Sequence, residues 1–190
     1  MPAQPLPLFP LHTVLLPGAA LGLRVFEPRY LDLVRECGRS GGGFGVCLIL
    51  DGEEAGKPAT PAAFGTEALI EDFGTDDGLL TLQVRGARRF HVDRTRVRDN
   101  GLVVADVRWC DDADVEELRP QHGLLAMVLE RILAQVGGEH AGAPASRLDD
   151  AAWIGWRLAE LLPLSDQQRQ SLLQDDDPHA RLDQLLGMMS

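Results

Sequence analysis

Residues 23–30 read Leu-Arg-Val-Phe-Glu-Pro-Arg-Tyr and predict a strand that turns directly into a helix. The first residues alternate between apolar and polar, as in a strand, and Pro28 then occupies the first helical turn, where proline is favoured. Glu27 is placed to accept backbone N–H groups of that turn, at the positive end of the helix dipole. Tyr30 begins an apolar stripe at helical spacing, and Gly38 is the predicted end of the helix.

On both sides of this corner the sequence predicts short strands separated by turn residues. Upstream, residues 6–24 are rich in leucine but interrupted by proline and glycine, and the prolines predict edge strands or bulges. Downstream, Gly86 predicts a bulge and Asn100-Gly101 predicts a hairpin turn. The downstream strands are predicted at residues 44–50, 64–73, 80–85, 89–93, 94–98 and 102–109. About six to eight short strands at this spacing are typical of a barrel or a sandwich.

After the last strand the pattern changes to that of helices. Residues 111–117 form a predicted acidic linker, and an apolar stripe over residues 124–136 predicts a helix that Gly137-Gly138 ends. Later helices are predicted to start at Asp149 or Asp150, at a capping box opened by Ser165, and at Asp177-Pro178. The chain is therefore predicted to be α+β, with a β domain over residues 1–112 and an α-helical subdomain over residues 113–190.

Charge and composition exclude several classes of protein. The chain has 18 basic and 29 acidic residues, a net charge of −11, and most of the excess lies in residues 99–190. Such a surface repels phosphate backbones and anionic membranes, so neither nucleic acid nor membrane is a predicted partner. No apolar run reaches the roughly 18 residues that span a bilayer, and the start of the chain lacks the basic region of a signal peptide. With only three cysteines and no CxxC pair, the protein is predicted to be cytoplasmic.

Two motifs that resemble catalytic loops lack the flanking elements that such loops need. Residues 38–42 match G-x-S-x-G around Ser40, but a helix precedes the motif and a strand follows it, the reverse of the order that exposes a nucleophile. Residues 52–58 resemble a phosphate-binding loop around Lys57, yet Pro58 stands where a magnesium-binding hydroxyl is needed and no helix follows. A hydrolase that uses Ser40 or Cys37 is the weakest of the alternatives.

Metal chemistry is not predicted either. The five histidines form no ligand pair, and the acidic clusters lack the glycine and the distal glutamate of a calcium loop. The sequence therefore predicts no catalytic residue, no metal site and no cofactor.

An arginine cluster within residues 85–98 leaves two interpretations open. On paired strands these side chains could line one face and meet RNA or an acidic protein segment. The favoured interpretation is that they pair with nearby carboxylates or with the acidic helical half. Phe90 is the one aromatic residue among them, which is poor for base stacking.

Several short motifs together resemble the N-terminal, substrate-recognition domain of Lon proteases. The corner at residues 23–30 is the most specific of them. The others are residues 8–11 (Leu-Phe-Pro-Leu), 16–18 (Leu-Pro-Gly), 44–46 (Phe-Gly-Val), 64–66 (Phe-Gly-Thr), the Gly86–Arg89–Phe90 strand pair and the helical segment from Leu161 to Leu173. The resemblance implies a PUA-like β-barrel with one crossing helix, followed by a C-terminal helical bundle.

The resemblance also implies a function and excludes others. The chain ends at Ser190, so it is expected to be a free-standing version of this domain, without the ATPase and protease modules of Lon. The expected function is non-catalytic binding of exposed or unfolded segments of other polypeptides. RNA binding is the alternative, because PUA-like barrels often bind RNA.

The expected binding site lies in a groove between the barrel and the helices. Its predicted residues are Phe9, Leu11, Phe26, Arg29 and Tyr30. For Phe26 and Tyr30 the favoured alternative is a place in the core. Glu27 is predicted to pair with Arg89 or Arg29 and so to hold the corner in place.

Overall fold

The computed structural model describes residues 4–112 and 114–190. The chain divides into two compact units, the first ending at Asp111 and the second beginning at Asp112. Together the described residues contain six strands and five α-helices, which confirms a mixed α/β fold.

The first unit contains all six strands and one helix. The strands are β1 (Gln4–Leu11), β2 (Ala20–Val25), β3 (Phe44–Asp51), β4 (Thr60–Asp76), β5 (Leu79–Val97) and β6 (Val103–Trp109), and helix α1 (Pro28–Ser40) lies between β2 and β3. The sheet order is β2-β5-β4-β3-β1-β6, and β5 also pairs with β6. This last pairing closes five of the strands into a ring. Strand β2 pairs with residues 80–85 of β5, on the same edge that pairs with β6 further along the strand. Among the described strands only β1 and β3 pair in parallel, and β2 and α1 lie in the connection between them.

The position of β1 differs from the prediction. Its prolines predict an edge strand or a bulge, yet β1 lies between β3 and β6. Residues 4–7 pair with β6 and residues 8–11 pair with β3, so each half of the strand has a partner on one side only. A proline, which has no N–H to donate, is tolerated where that side of the strand has no partner.

The centre of the ring is filled by apolar side chains from β1, β3, β5 and β6. These are Leu6, Leu8, Cys47, Phe90, Val103, Ala105 and Val107. Two glycines leave the room that Phe90 occupies. A Cβ on Gly45 or Gly65 would lie 2.7 Å or 2.6 Å from the Phe90 Cζ atom. Because side chains alternate along a strand, Phe9 and Leu11 of β1 lie on the face opposite Leu6 and Leu8.

Two boundaries in this unit differ from the predicted ones. Helix α1 passes Gly38 and ends at Gly41, whose φ of 72° is the left-handed conformation that closes a helix. The three strands predicted between residues 80 and 98 are one strand of 19 residues, β5. The predicted bulge is confirmed, since Ala68 opposes Gly86 while Thr66 opposes Arg89, which leaves an extra residue on β5. The Asn100-Gly101 turn joins β5 to β6 as predicted, and Arg98 N donates to Leu102 O (2.9 Å).

The described residues of the second unit form four α-helices and one short 3₁₀ segment. The helices are α2 (Gly123–Val136), α3 (Ala151–Leu161), α4 (Asp166–Leu173) and α5 (Pro178–Met189). The predicted caps are confirmed. Asp150 accepts from Ala152 N, Ser165 and Gln168 form the capping box, and Asp177 accepts from His179 N. Helix α3 contacts both α2 and α5.

The predicted acidic linker is partly ordered by pairing within the second unit. Glu116 O accepts from Ala151 N (2.9 Å), and Leu118 N donates to Asp149 O (2.9 Å). Ala113, in the middle of that segment, lies outside the described residues. No helix in the described part of the chain is long and apolar enough to cross a membrane.

Candidate functional site

A pocket of about 370 Å³ opens in the first unit at the predicted corner. Its walls come from β1 and the residues after it, from β2, from the corner itself, from the start of α1, and from the loop between β3 and β4. Four of the five predicted binding residues line this pocket: Phe9, Leu11, Phe26 and Tyr30. The fifth, Arg29, lies behind it. All five belong to the first unit.

An aromatic pair forms the floor of the pocket. The rings of Phe9 and Tyr30 are stacked, with centroids 3.9 Å apart and an interplanar angle of 7°. The ring centroid of Phe44, on β3, lies 6.1 Å from that of Phe9. Tyr30 is 5% exposed, so its predicted core position is correct, whereas Phe26 is 58% exposed and its predicted core position is wrong. Phe26 follows the last residue of β2, and its ring lies at the mouth of the pocket.

Arg29 connects three parts of the first unit. Its Nε donates to Glu27 Oε2 (2.7 Å), one terminal nitrogen donates to Gly101 O (3.2 Å), and the other donates to Glu54 O (3.4 Å). Its guanidinium also lies 4.7 Å from the centroid of the Tyr30 ring. Because Arg29 is not among the residues that line the pocket, these contacts make it a support of the pocket rather than a residue that a ligand touches directly.

Glu27 acts differently from the prediction. Its side chain accepts no hydrogen bond from the backbone N–H groups of the first turn of α1. One carboxylate oxygen accepts from Arg29, and the other accepts from Gly56 N in the β3–β4 loop (3.1 Å). Of the two predicted partners, Arg29 is therefore the one that Glu27 contacts. Arg89 is fully buried on β5, opposite Thr66.

The rim of the pocket on the β3–β4 loop is acidic. Glu54 Oε2 accepts from His12 N (2.7 Å), and Glu53 lies 3.6 Å from the His12 imidazole. Arg24, on the β2 side of the pocket, pairs with Asp76. The contribution of residues 21–24 and 54–55 to the pocket was not predicted, because contacts of a strand edge or of a distant loop with the corner leave no local signal in the sequence.

The electrostatics of the pocket keep Tyr30 protonated. Burial raises the pKa of the Tyr30 phenol, and the nearby Glu27 and Glu54 carboxylates act in the same direction, while Arg29 opposes them. The hydroxyl is therefore neutral at physiological pH. It adds a donor and an acceptor to an otherwise aromatic floor.

Five of the six arginines of the cluster within residues 85–98 pair with carboxylates of the first unit. Arg85 pairs with Glu71, Arg88 with Glu67, Arg98 with Glu36, and both Arg94 and Arg96 with Asp106. This arrangement agrees with the favoured interpretation of the cluster as carboxylate partners. Nothing in it favours RNA binding.

The residues considered for hydrolysis are poorly placed for it. Ser40 ends α1, and its Oγ accepts from Gly42 N (3.1 Å), with β3 following, as the sequence predicts. Burial raises the pKa of the Cys37 thiol to about 11, which is opposite to what a nucleophilic thiolate needs. Lys57 is exposed in a loop that leads into a strand. In the described part of the chain no three His, Cys, Asp or Glu side chains are grouped as metal ligands.

Comparison with known proteins gives one consistent result. Residues 5–190 match the family described as the ATP-dependent protease La (LON) substrate-binding domain. The crystal structure of a Lon N-terminal domain protein from Xanthomonas campestris is similar, with 63% identity, a TM-score of 0.83, and coverage of 97% of this chain and 98% of that chain. The N-terminal domain of the Mycobacterium avium complex Lon protease has 18% identity, 97% coverage of both chains and a TM-score of 0.71, a likeness of fold alone.

Proposed function

Because this chain belongs to the family of Lon substrate-binding domains, we propose that it binds exposed or unfolded segments of other polypeptides through the pocket at the β2–α1 corner. The binding residues are Phe9, Leu11, Phe26 and Tyr30. Arg29 and Glu27 act as positioning residues that hold the corner and the β3–β4 loop together.

The exposed ring of Phe26 above a buried aromatic pair is the observation that carries this proposal. The Phe26 side chain is 58% exposed, and it lines the same pocket as the stacked rings of Phe9 and Tyr30. An apolar side chain of a partner that enters this pocket would be removed from water by contact with Phe26 and with the Phe9–Tyr30 pair. Aromatic residues grouped in this way dominate the binding energy of protein interfaces.

The proposal also covers the absence of catalysis and cofactors, the type of fold and the cellular location. The domain acts by binding alone, without ATP, a metal or another cofactor, which fits a family described by substrate binding. The closed ring of strands with α1 in a crossing connection supports a PUA-like barrel, and the contacts of α3 with α2 and α5 support a helical bundle. A cytoplasmic location is proposed on the three cysteines, which form no disulfide.

Replacing Phe26 with alanine tests the proposed site. We expect Phe26→Ala to weaken binding of a fluorescently labelled, chemically unfolded polypeptide by about 5- to 30-fold, the loss typical of an interface aromatic. Fluorescence anisotropy measures the affinity. The melting temperature should stay close to that of the wild type, because an exposed ring contributes little to folding.

Phe73→Ala is the matched control. Phe73 is an exposed phenylalanine of β4, 73% exposed, and it does not line the pocket. Its removal should leave the affinity unchanged. Equal losses in the two variants would contradict the proposed site, and wild-type protein that binds no unfolded polypeptide would contradict the proposed function.

A further inference from the structure

Strand β2 has one edge that no other strand covers. It stands at the end of the sheet order and pairs with β5 alone among the described strands. An uncovered edge presents backbone N–H and C=O groups that can pair with another chain. Natural proteins commonly cover or shorten such edges, whereas the second edge of β2 has no described strand against it.

The pocket runs along this edge rather than over one face of the strand. Four consecutive residues of β2, residues 21–24, line it. Successive side chains of a strand point to opposite faces, so a cavity above one face would touch alternate residues only. A cavity that touches four in a row lies beside the backbone.

The alternation of hydrogen bonds identifies which backbone groups face the pocket. Gly86 N donates to Ala19 O (2.8 Å), so Ala19 directs its carbonyl towards β5. In an antiparallel pair this direction alternates from residue to residue. Leu21 and Leu23 therefore direct their backbone groups towards β5, whereas Gly22 and Arg24 direct theirs towards the uncovered edge. Gly22 has no side chain, which lets another backbone approach closely.

The charges around the pocket indicate the chemistry of an occupant. Arg24 is balanced by Asp76, and Glu27 by Arg29. Glu54 and Glu53 are contacted by the backbone and the ring of His12, and no arginine of the described chain pairs with either. The pocket thus combines an apolar floor with a net negative rim.

We propose that an extended polypeptide segment adds to β2 as a further strand, with a large apolar side chain in the pocket and a basic residue beside it. The proposal rests on the proposed function and specifies how the segment binds. The backbone groups of Gly22 and Arg24 pair with the segment, its apolar side chain packs on Phe26 and the Phe9–Tyr30 pair, and its basic residue meets Glu53 and Glu54. Strand addition of this kind derives affinity from the main chain and selectivity from the pocket.

Backbone methylation of a probe peptide tests the strand pairing without changing the protein. The probe is a short synthetic peptide with one leucine between lysines. Two further versions carry N-methyl groups on alternate amides, one in each of the two possible frames. In an added strand only one frame faces β2, so methylation there should weaken binding at least about tenfold, while methylation in the other frame should change it less than about twofold.

Amide hydrogen exchange of wild-type protein provides the second measurement. The unmethylated probe should slow the exchange of the Gly22 and Arg24 amides. A version of the probe with glutamates in place of the lysines should bind more weakly, and this difference should shrink at high salt.

The outcomes separate this inference from the proposed function. Strand addition is overturned if the two N-methylated peptides bind with equal affinity, or if the probe does not slow exchange of the Gly22 and Arg24 amides. The pocket remains the binding site in either case. Binding of the glutamate peptide as tight as that of the lysine peptide overturns the basic preference. A probe that fails to bind wild-type protein, together with unfolded polypeptides that also fail, overturns the proposed function and this inference with it.

Discussion

At the scale of single residues, Arg29 explains why the corner keeps its shape. A buried guanidinium is costly unless a charge and hydrogen-bond acceptors compensate it. Arg29 has both, in the Glu27 carboxylate and in the carbonyls of Gly101 and Glu54. These acceptors come from three separate segments, so one side chain fixes the start of α1, the β5–β6 turn and the acidic rim of the pocket.

The cysteines give a prediction at the same scale. Burial raises the pKa of the Cys37 thiol to about 11 and that of Cys47 to about 12, from a usual value of 9.0. Both thiols therefore stay protonated in the folded protein near neutral pH, and only half-buried Cys110 should react quickly with a thiol reagent at pH 8. The contribution of the Cys37 and Cys47 thiols to the free energy of unfolding is complete below about pH 9. It is lost as the pH rises towards their pKa values in the folded protein, because the same thiols ionise first in the unfolded chain.

Counting reactive thiols with and without denaturant checks this prediction. All three cysteines should react in the unfolded chain. Rapid reaction of Cys37 in the folded protein would contradict its burial and would make it a candidate nucleophile again.

At the scale of elements, β5 organises the first unit. This single strand pairs with β2, β4 and β6, and its bulge at Gly86 lies where the turn at Leu16–Ala19 meets it. Gly18 N donates to Gly86 O and Gly86 N donates to Ala19 O, both at 2.8 Å. The turn that precedes β2 is thereby attached to the strand that β2 pairs with, which sets the register of the proposed binding edge.

Gly86→Ala should show how closely this turn approaches. A Cβ at Gly86 would lie 2.1 Å from the Leu16 carbonyl oxygen, so the backbone of the turn would have to move. We expect the free energy of unfolding in urea to fall by about 1–3 kcal/mol, as for other overpacked sites.

Gly38→Ala serves as the control for this change. Gly38 lies inside α1, and a Cβ there would meet no atom within 4 Å. The substitution should raise the stability by about 0.5–1 kcal/mol, the usual gain for alanine over glycine in a helix. A Gly86→Ala variant as stable as the wild type would show that the turn is not held against β5.

At the scale of the whole molecule, the chain is strongly acidic, yet many of its arginines are paired with carboxylates. The net charge is −11, yet most arginines of β5 and β6 are matched by carboxylates on neighbouring strands. Asp106 receives hydrogen bonds from Arg94 and Arg96, and Asp93 receives one from Arg108. These arginines lower the pKa of both aspartates, so the pairs make stability depend on pH.

The direction of this dependence follows from the lowered pKa values. A carboxylate whose pKa is lower in the folded state adds stability above its unfolded pKa, and this stability is lost as the pH falls through the folded value. We expect Asp106→Asn to lower the urea midpoint at pH 7, and we expect the difference from wild type to shrink below about pH 4.

Asp99→Asn is the control for the pH series. Asp99 is exposed, and no ion pair to it is found in the described part of the chain. Its replacement should leave the midpoint nearly unchanged at every pH. A gap between Asp106→Asn and wild type that stays constant down to pH 3 would show that the loss comes from packing rather than from charge.

The sequence by itself determined the local features of this protein. The helix caps at Asp150, Ser165 and Asp177 and the turn at Asn100-Gly101 are where it predicts them. Each depends on hydrogen bonds between residues a few positions apart, so residue types at fixed spacing are sufficient. The motifs of the corner also identified the family, which the comparison with known proteins confirms.

Only the tertiary structure decided which surfaces are covered. Phe26 and Tyr30 are both aromatic residues of the corner, and only the fold leaves the first exposed and buries the second. Arg29 reaches Gly101, and the β3–β4 loop supplies a wall of the pocket. The apolar pattern of a strand indicates which of its faces is buried. It does not indicate which neighbour packs against that face or pairs with either edge. That choice depends on contacts between segments far apart in the chain, and it left the edge of β2 open beside the pocket.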